Sequence, residues 1–305
     1  MSASMNIQPT NLDELSSPIA RRVLNEADWR LIVKRIHEER CVPFLGAGAS
    51  VAGDQEHGLP TAFQLASALA RDSGYPGSDK GDLFRVAQYF QMVNDPYELR
   101  NFIREQLQKG NNSPTVVHNT LAALPFRYVL TTNFDKLMER AFEDARKTPQ
   151  VALYQLHGDR VELPMATAKD PLVYKLHGTV DKLDTMIVTE DDVVDFLSCV
   201  IVGDPPLPPV LKKLFEDNSI LFIGYGLKDW NIRVLMRAIR GQGRKGPPDI
   251  CSFAIQKCPT EMGLAQEWET CVMYWDKREN LKCFDMDATE FATQLRQQYR
   301  KYYGE

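Results

Sequence analysis

The chain is expected to fold as an α/β protein on a mainly parallel sheet with helices on both faces. Three observations carry that expectation. From residue 126 onward, short apolar runs alternate with segments of helical periodicity, the pattern of strand–helix–strand units. These runs are apolar throughout, as strands covered on both faces must be. Four such runs end in turns rich in glycine, amide, hydroxyl or imidazole groups, and the carboxyl end of a strand is where open α/β sheets bind ligands.

Taken in order, residues 1–25 are polar and irregular and read as an N-terminal arm, and residues 26–305 as one domain. A helix spans Asp28 to Arg40, with Trp29, Ile32, Val33 and Ile36 at helical spacing. Cys41 to Leu45 reads as a buried strand despite Pro43, since proline is disfavoured inside sheets. Four helices follow without a convincing strand: Thr61 to Asp72 with Thr61 as its cap, Asp82 to Val93, Pro96 to Gln108, and Pro114 to Leu124 behind Ser113. The block of about 55–124 is therefore read as a helical insertion over the sheet.

Beyond it come a strand at 126–131, a helix to about 146, and the strand Leu172 to Leu176. A helix begins near Thr189, whose acidic followers Glu190, Asp191 and Asp192 suit a positive helix N-terminus. The strand Ile220 to Ile223, the helix Lys228 to Arg240, strands at Ile250 to Ile255, Cys271 to Trp275 and Leu281 to Phe284, and a helix from Ala288 to Tyr302 complete the reading. The Pro/Gly-rich stretches 203–209 and 241–248 read as surface loops.

Composition excludes several classes of function. With 305 residues the chain can bury a substantial core, and a net charge of −5 offers no general attraction for nucleic acid or an anionic membrane. No apolar stretch approaches a membrane span, and the N-terminus lacks a basic region followed by an apolar core, so a cytoplasmic protein is expected. The six cysteines include no Cys-x-x-Cys pair, so no zinc module is expected, and they read as small, reduced, buried groups. No compact carboxylate cluster with a Lys or His points to a metal-dependent nuclease, and no metal is expected.

Four turns carry the candidate chemistry. In Gly46-Ala47-Gly48-Ala49-Ser50 the glycines allow close approach of a ligand, and free N–H groups could cradle phosphate. It is neither a full G-x-G-x-x-G fingerprint nor a Walker loop, and a purely structural turn stays open. Thr131-Thr132-Asn133-Phe134-Asp135 packs two hydroxyls, an amide and a carboxylate into five residues, although Asp135 could equally cap the next helix. Lys175-Leu176-His177-Gly178-Thr179 sets a histidine beyond a strand, where it could exchange protons near neutrality or be a hydrogen-bonded core residue. Leu156-His157-Gly158-Asp159 nearly copies it behind a weaker strand, so His177 is preferred. The last turn, Gly224-Tyr225-Gly226, leads through Asp229, a candidate cap, to Asn231.

In this order the turns resemble the sirtuin superfamily, and more narrowly the bacterial sirtuin-like domain of antiviral defence systems, over about residues 30–285. The resemblance implies a Rossmann-like sheet that binds NAD+ as substrate and cleaves the bond between nicotinamide and ribose. It implies that Gly46, Ala47, Gly48, Ser50 and Thr132 contact the dinucleotide and that Gly224, Tyr225 and Gly226 complete its pocket. Asn133 would position the nicotinamide ribose and attacking water, Asp135 would orient the site, and His177 would be the general base. Protein-deacylating sirtuins carry a zinc module with two Cys-x-x-Cys pairs that this sequence lacks, so water is the expected nucleophile and NAD+ hydrolysis, depleting NAD+ during phage infection, the expected outcome. Protein deacylation, ADP-ribosyl transfer and a non-catalytic nucleotide-binding scaffold are the alternatives. The resemblance further implies a homo-oligomer restrained by a companion, a HerA-like ATPase or a short Argonaute.

Overall fold

Alternate side chains along each strand feed two different cores, and that alternation defines the architecture. In the computed structural model, which describes residues 22–51, 58–109, 113–158, 162–227, 230–240, 248–258 and 262–304, strand β1 (Cys41–Leu45) turns Val42 and Phe44 to one face and Cys41 and Leu45 to the other. Strand β5 (Ser219–Ile223) divides likewise, with Ile220 and Phe222 opposite Leu221 and Ile223. Burial on both faces is why these runs lack polar alternation.

The other strands are β2 (Tyr128–Thr131), β3 (Gln150–Leu153), β4 (Leu172–Lys175), β6 (Ser252–Ile255) and β7 (Leu281–Phe284). All seven are parallel, in the order β3-β4-β2-β1-β5-β6-β7. The chain leaves central β1 first toward β2 and later returns to its other side at β5. This reversal makes a Rossmann-like topological switch point, with a crevice above β1. Pro43 is accommodated inside β1 because odd-numbered residues face β2, and pairing with that strand starts only at Phe44 opposite Leu130.

One face is covered by α1 (Glu26–His37), α5 (Val116–Ala123), α6 (Leu137–Asp144) and α11 (Ala288–Tyr303). The other is covered by α7 (Glu190–Val202), α8 (Pro209–Asp217), α9 (Trp230–Arg240) and α10 (Met262–Glu279). Helices α2 (Ala62–Ser73), α3 (Leu83–Val93) and α4 (Pro96–Lys109) bury a third core of their own with Leu137, Met186 and Val188. Of the block read as a helical insertion, only α2 to α4 form this separate layer, while α5 joins the sheet.

Several expectations need correction. The run Cys271 to Trp275 is part of α10, because Trp268, Cys271, Val272 and Trp275 recur at helical spacing and all are buried. The stretch 203–209 ends in α8, whose Pro209 suits a first helical position. Helix α5 is capped by Thr115 and starts later than expected from Ser113. Of the N-terminal arm, residues 1–21 lie outside the described residues, whereas Leu24 is buried in the core and Arg22 pairs with Asp276. Lys228 and Asp229 also lie outside them.

The α2–α4 layer is fastened to the sheet domain at the N-terminus of α7. Arg100 of α4 makes a two-pronged contact with Asp192 at 3.0 and 3.1 Å. The same carboxylate accepts from the main-chain N–H groups of Val188 and Thr189, closing a capping box with the Thr189 hydroxyl. Arg85 meets Glu190 at 3.3 Å, and Gln88 exchanges two hydrogen bonds with Asp191. Arg100 and Asp192 are both largely shielded, so their hydrogen bonds outweigh those of exposed pairs. Substituting Arg100→Met is expected to lower unfolding stability by about 2 kcal/mol in urea titration; Arg85→Ala, losing an exposed pair, is expected to cost less than about 1 kcal/mol.

Candidate active site

Strands β4, β2, β1 and β5 lie side by side, so their four trailing turns meet above the switch point. They enclose a cleft of about 1180 Å³, roofed by Leu59, Phe63, Leu83 and Phe84 from the α2–α4 layer. Pockets for small ligands typically span roughly 300–1,000 Å³, so an extended molecule fits.

The turns after β1 and β5 interlock. A Cβ on Gly46 would lie 2.6 Å from the Gly224 carbonyl oxygen, and one on Gly224 would lie 2.2 Å from the Ala49 nitrogen. Gly224 also has φ +67°, a region that L side chains rarely adopt. Gly48 donates its N–H to the Gly224 carbonyl at 2.9 Å. Residues Gly46, Ala47, Ser50, Thr132, Gly224, Tyr225 and Gly226 line the cleft, whereas Gly48 packs behind it against Gly224. The expected cradle of free amides is also narrower than anticipated. Within 46–50 the N–H groups of Gly46, Gly48, Ala49 and Ser50 are engaged by main-chain carbonyls, which leaves that of Ala47. The glycines serve close packing more than donation.

Asn133 joins the turn after β2 to the turn after β1. Its Nδ2 donates to the Gly46 carbonyl at 3.0 Å and to Ser50 Oγ at 3.1 Å. Ser50 Oγ passes its own hydrogen to Asp135 Oδ2 at 2.8 Å, while Asp135 Oδ1 accepts the Leu137 N–H at 2.9 Å. The N-cap position of α6 is Lys136, one residue later than expected, so Asp135 holds the first N–H of the helix from just outside it with one oxygen and Ser50 with the other. With both Nδ2 hydrogens committed, the amide oxygen of Asn133 is the group left to meet a ligand. The Asn133 N–H is held by Thr131 Oγ1, which itself donates to Leu45.

His177 lines the same cleft, buried edge-on between Phe84 at 6.4 Å and Phe196 at 5.3 Å between ring centres. Burial lowers its pKa from 6.5 to about 4, against a smaller opposing pull from Asp192. The imidazole is thus neutral at physiological pH and able to take a proton. Gly178 is required beside it, with φ +79° and a hypothetical Cβ only 2.2 Å from the Thr185 carbonyl oxygen. His157, the near-copy, is exposed past edge strand β3 and is not among the residues lining the cleft.

Three residues escaped sequence reasoning. Phe84 reaches His177 from α3, and nothing in the sequence ties those segments together. His118 is buried beneath the site, bonded to Thr115 Oγ1 at 2.9 Å, with burial lowering its pKa to about 4. Lys175 is buried at the end of β4 against Glu139; a lysine inside an otherwise apolar run was the available signal. Among the described residues no group of three or more His, Cys, Asp or Glu could hold a metal ion, and no helix is long and apolar enough to cross a membrane.

Comparison with known proteins follows the same lines. Residues 127–277 match the family model described as SIR2-like domain. The chain is 26% identical over 300 residues to the NAD(+) hydrolase ThsA of Cytobacillus dafuensis, covering 94% of this chain and 55% of that protein. It is 28% identical over 228 residues to the ThsA of Enterococcus faecium, covering 70% and 43%. With Defense-associated sirtuin 2 of Bacillus subtilis it shares 25% identity over 211 residues, covering 66% of this chain and 19% of that protein. The chain thus spans about half, or less, of these curated relatives.

The unfolded chain binds protons at His118 and His177 below pH 6.5 that the folded chain refuses until about pH 4. Stability is therefore full above pH 6.5 and falls as the pH drops toward 4, each histidine adding a slope of about 1.4 kcal/mol per pH unit within that window. In urea titrations at pH 5 to 6, His118→Asn is expected to remove one proton's worth of this slope. Gly224→Ala is expected to destabilise the fold by about 3 kcal/mol, from the left-handed backbone and the Ala49 contact.

Proposed function

We propose, from the match of residues 127–277 to the SIR2-like domain model, that the chain is an NAD+ glycohydrolase that releases nicotinamide and ADP-ribose, the effector of an anti-phage defence acting by NAD+ depletion. The observation that carries this reading is the pairing, in one cleft, of an amide locked by Gly46 and Ser50 with a histidine held neutral by burial. The similarity to relatives named NAD(+) hydrolase ThsA and Defense-associated sirtuin 2 supports it.

In this mechanism the dinucleotide spans the switch point, its diphosphate against the interlocked glycine turns and the Ala47 N–H. The nicotinamide ribose lies between Asn133 and His177. The C1′–N bond breaks with its electron pair going to the nicotinamide nitrogen, which neutralises the pyridinium. Water, positioned by the Asn133 amide oxygen, bonds to the oxocarbenium-like C1′ and gives its proton to His177. Placement of a weak nucleophile accounts for most of the rate. Asp135 acts through Ser50 and through its bond to the Leu137 N–H at the start of α6, keeping the Asn133 side chain aimed.

An NAD+-consuming site in the cytoplasm must be restrained in healthy cells. We therefore also propose a homo-oligomer, or a companion such as a HerA-like ATPase or short Argonaute, as the control. Exposed Met92, Val93 and Tyr97, where α3 meets α4 beside the roof of the cleft, supply apolar surface for such contacts.

Incubation of the full chain with NAD+, alone or with its genomic neighbour, is expected to release nicotinamide without any acylated peptide; release that requires an acetyl-lysine peptide would instead establish deacylation. His177→Ala and Asn133→Ala are each expected to lower kcat by about 10²–10⁴. In the wild type, activity should stay level from pH 8 to 5 and fall only as pH nears the His177 value of about 4. A fall centred near 6.5 would exclude His177 as the base.

A further inference from the structure

We propose that Lys175 is a positioning residue for the Asn133 turn, acting from the core through the Asp135 main chain. The inference rests on the NAD+-cleaving role of Asn133 argued above. Lys175 ends β4 directly beside Thr131, the last residue of β2, so its side chain starts level with the base of the turn. It is completely buried. Its ammonium donates to the Asp135 carbonyl and meets Glu139 Oε1 of α6 at 3.0 Å.

One cation thus ties the main chain of the turn to the helix that the turn opens. The Asp135 side chain secures the opposite end, reaching Ser50 and through it Asn133. Burying an ammonium and a carboxylate is costly, and an apolar pair of similar volume is often as stable. Stability alone gives little reason for a charged pair here. Position gives one, because a buried ammonium offers three donors around one point and can bind a carboxylate and a carbonyl together. His118, the other titratable group beneath Asp135, is held neutral by burial and bonds to Thr115. Lys175 is therefore the cation that fixes the Asp135 carbonyl.

The test compares the full wild-type chain with Lys175→Met/Glu139→Leu, which removes both charges, and with Glu139→Gln, which leaves an acceptor for Lys175 and the tie to Asp135. Hydrogen exchange of residues 132–137 and kcat and KM for NAD+ are measured on each. The double variant is expected to keep a melting temperature close to wild type, to exchange at 132–137 at least about tenfold faster, and to lose at least about tenfold in kcat with KM little changed. Glu139→Gln is expected within about threefold of wild type in kcat. If the double variant does not fold, Lys175→Gln/Glu139→Gln, whose shorter side chain cannot reach Asp135, is read by the same criteria. Unchanged exchange at 132–137, a kcat within twofold of wild type, or a loss as large in Glu139→Gln overturns the proposal. Exchange is read without substrate, so it decides the positioning role even if the wild-type chain leaves NAD+ intact, an outcome that would refute the hydrolase reading alone.

Discussion

The structure turns on the two hydrogen bonds that Asn133 donates, one to the Gly46 carbonyl and one to Ser50. They cross between the turns of adjacent strands and so fix the geometry of the switch point itself. Everything nearby is arranged to make them available. Gly46 and Gly224 lack side chains so that the turns after β1 and β5 can touch, and Asp135 holds Ser50 in the accepting orientation. Using both Nδ2 hydrogens internally also decides what Asn133 offers outward. A single acceptor oxygen, without rotational freedom, is suited to orienting water or a ribose hydroxyl.

Around that core the chain separates two tasks. The sheet and its eight covering helices build a rigid crevice, whereas α2 to α4 form a roof with its own small core. The roof is fastened by polar contacts at the N-terminus of α7 and by apolar packing on Leu137, Met186 and Val188, and it supplies Phe84, whose ring packs edge-on to His177. Part of the burial that lowers the His177 pKa thus comes from this layer. Displacement of the roof would expose His177 to water and raise its pKa toward 6.5.

Much of this was legible in the sequence, for physical reasons. Strands buried on both faces show up as unbroken apolar runs, and turns that need glycine or a capping carboxylate declare those residues. Hence β1, β2, β4 and β5 are legible as strands, and Asp135 stands out as a residue that bonds the start of the next helix. Where local pattern misled, a competing period was present. Cys271 to Trp275 is apolar enough for a strand, but the spacing from Trp268 belongs to a helix. Gly48 looked like a ligand contact because glycine permits close approach, without telling what approaches; here it is another turn. Contacts between distant segments, such as Phe84 on His177 or Lys175 on Glu139, leave no local pattern at all.

The most direct measurement of the central claim is a crystal structure of the His177→Ala variant soaked with NAD+. The account predicts the nicotinamide ribose within hydrogen-bond distance of the Asn133 amide oxygen, and the diphosphate against Ala47 and the Gly224 turn. A dinucleotide bound with its nicotinamide at the Tyr225 end, or outside the crevice above β1, would contradict it.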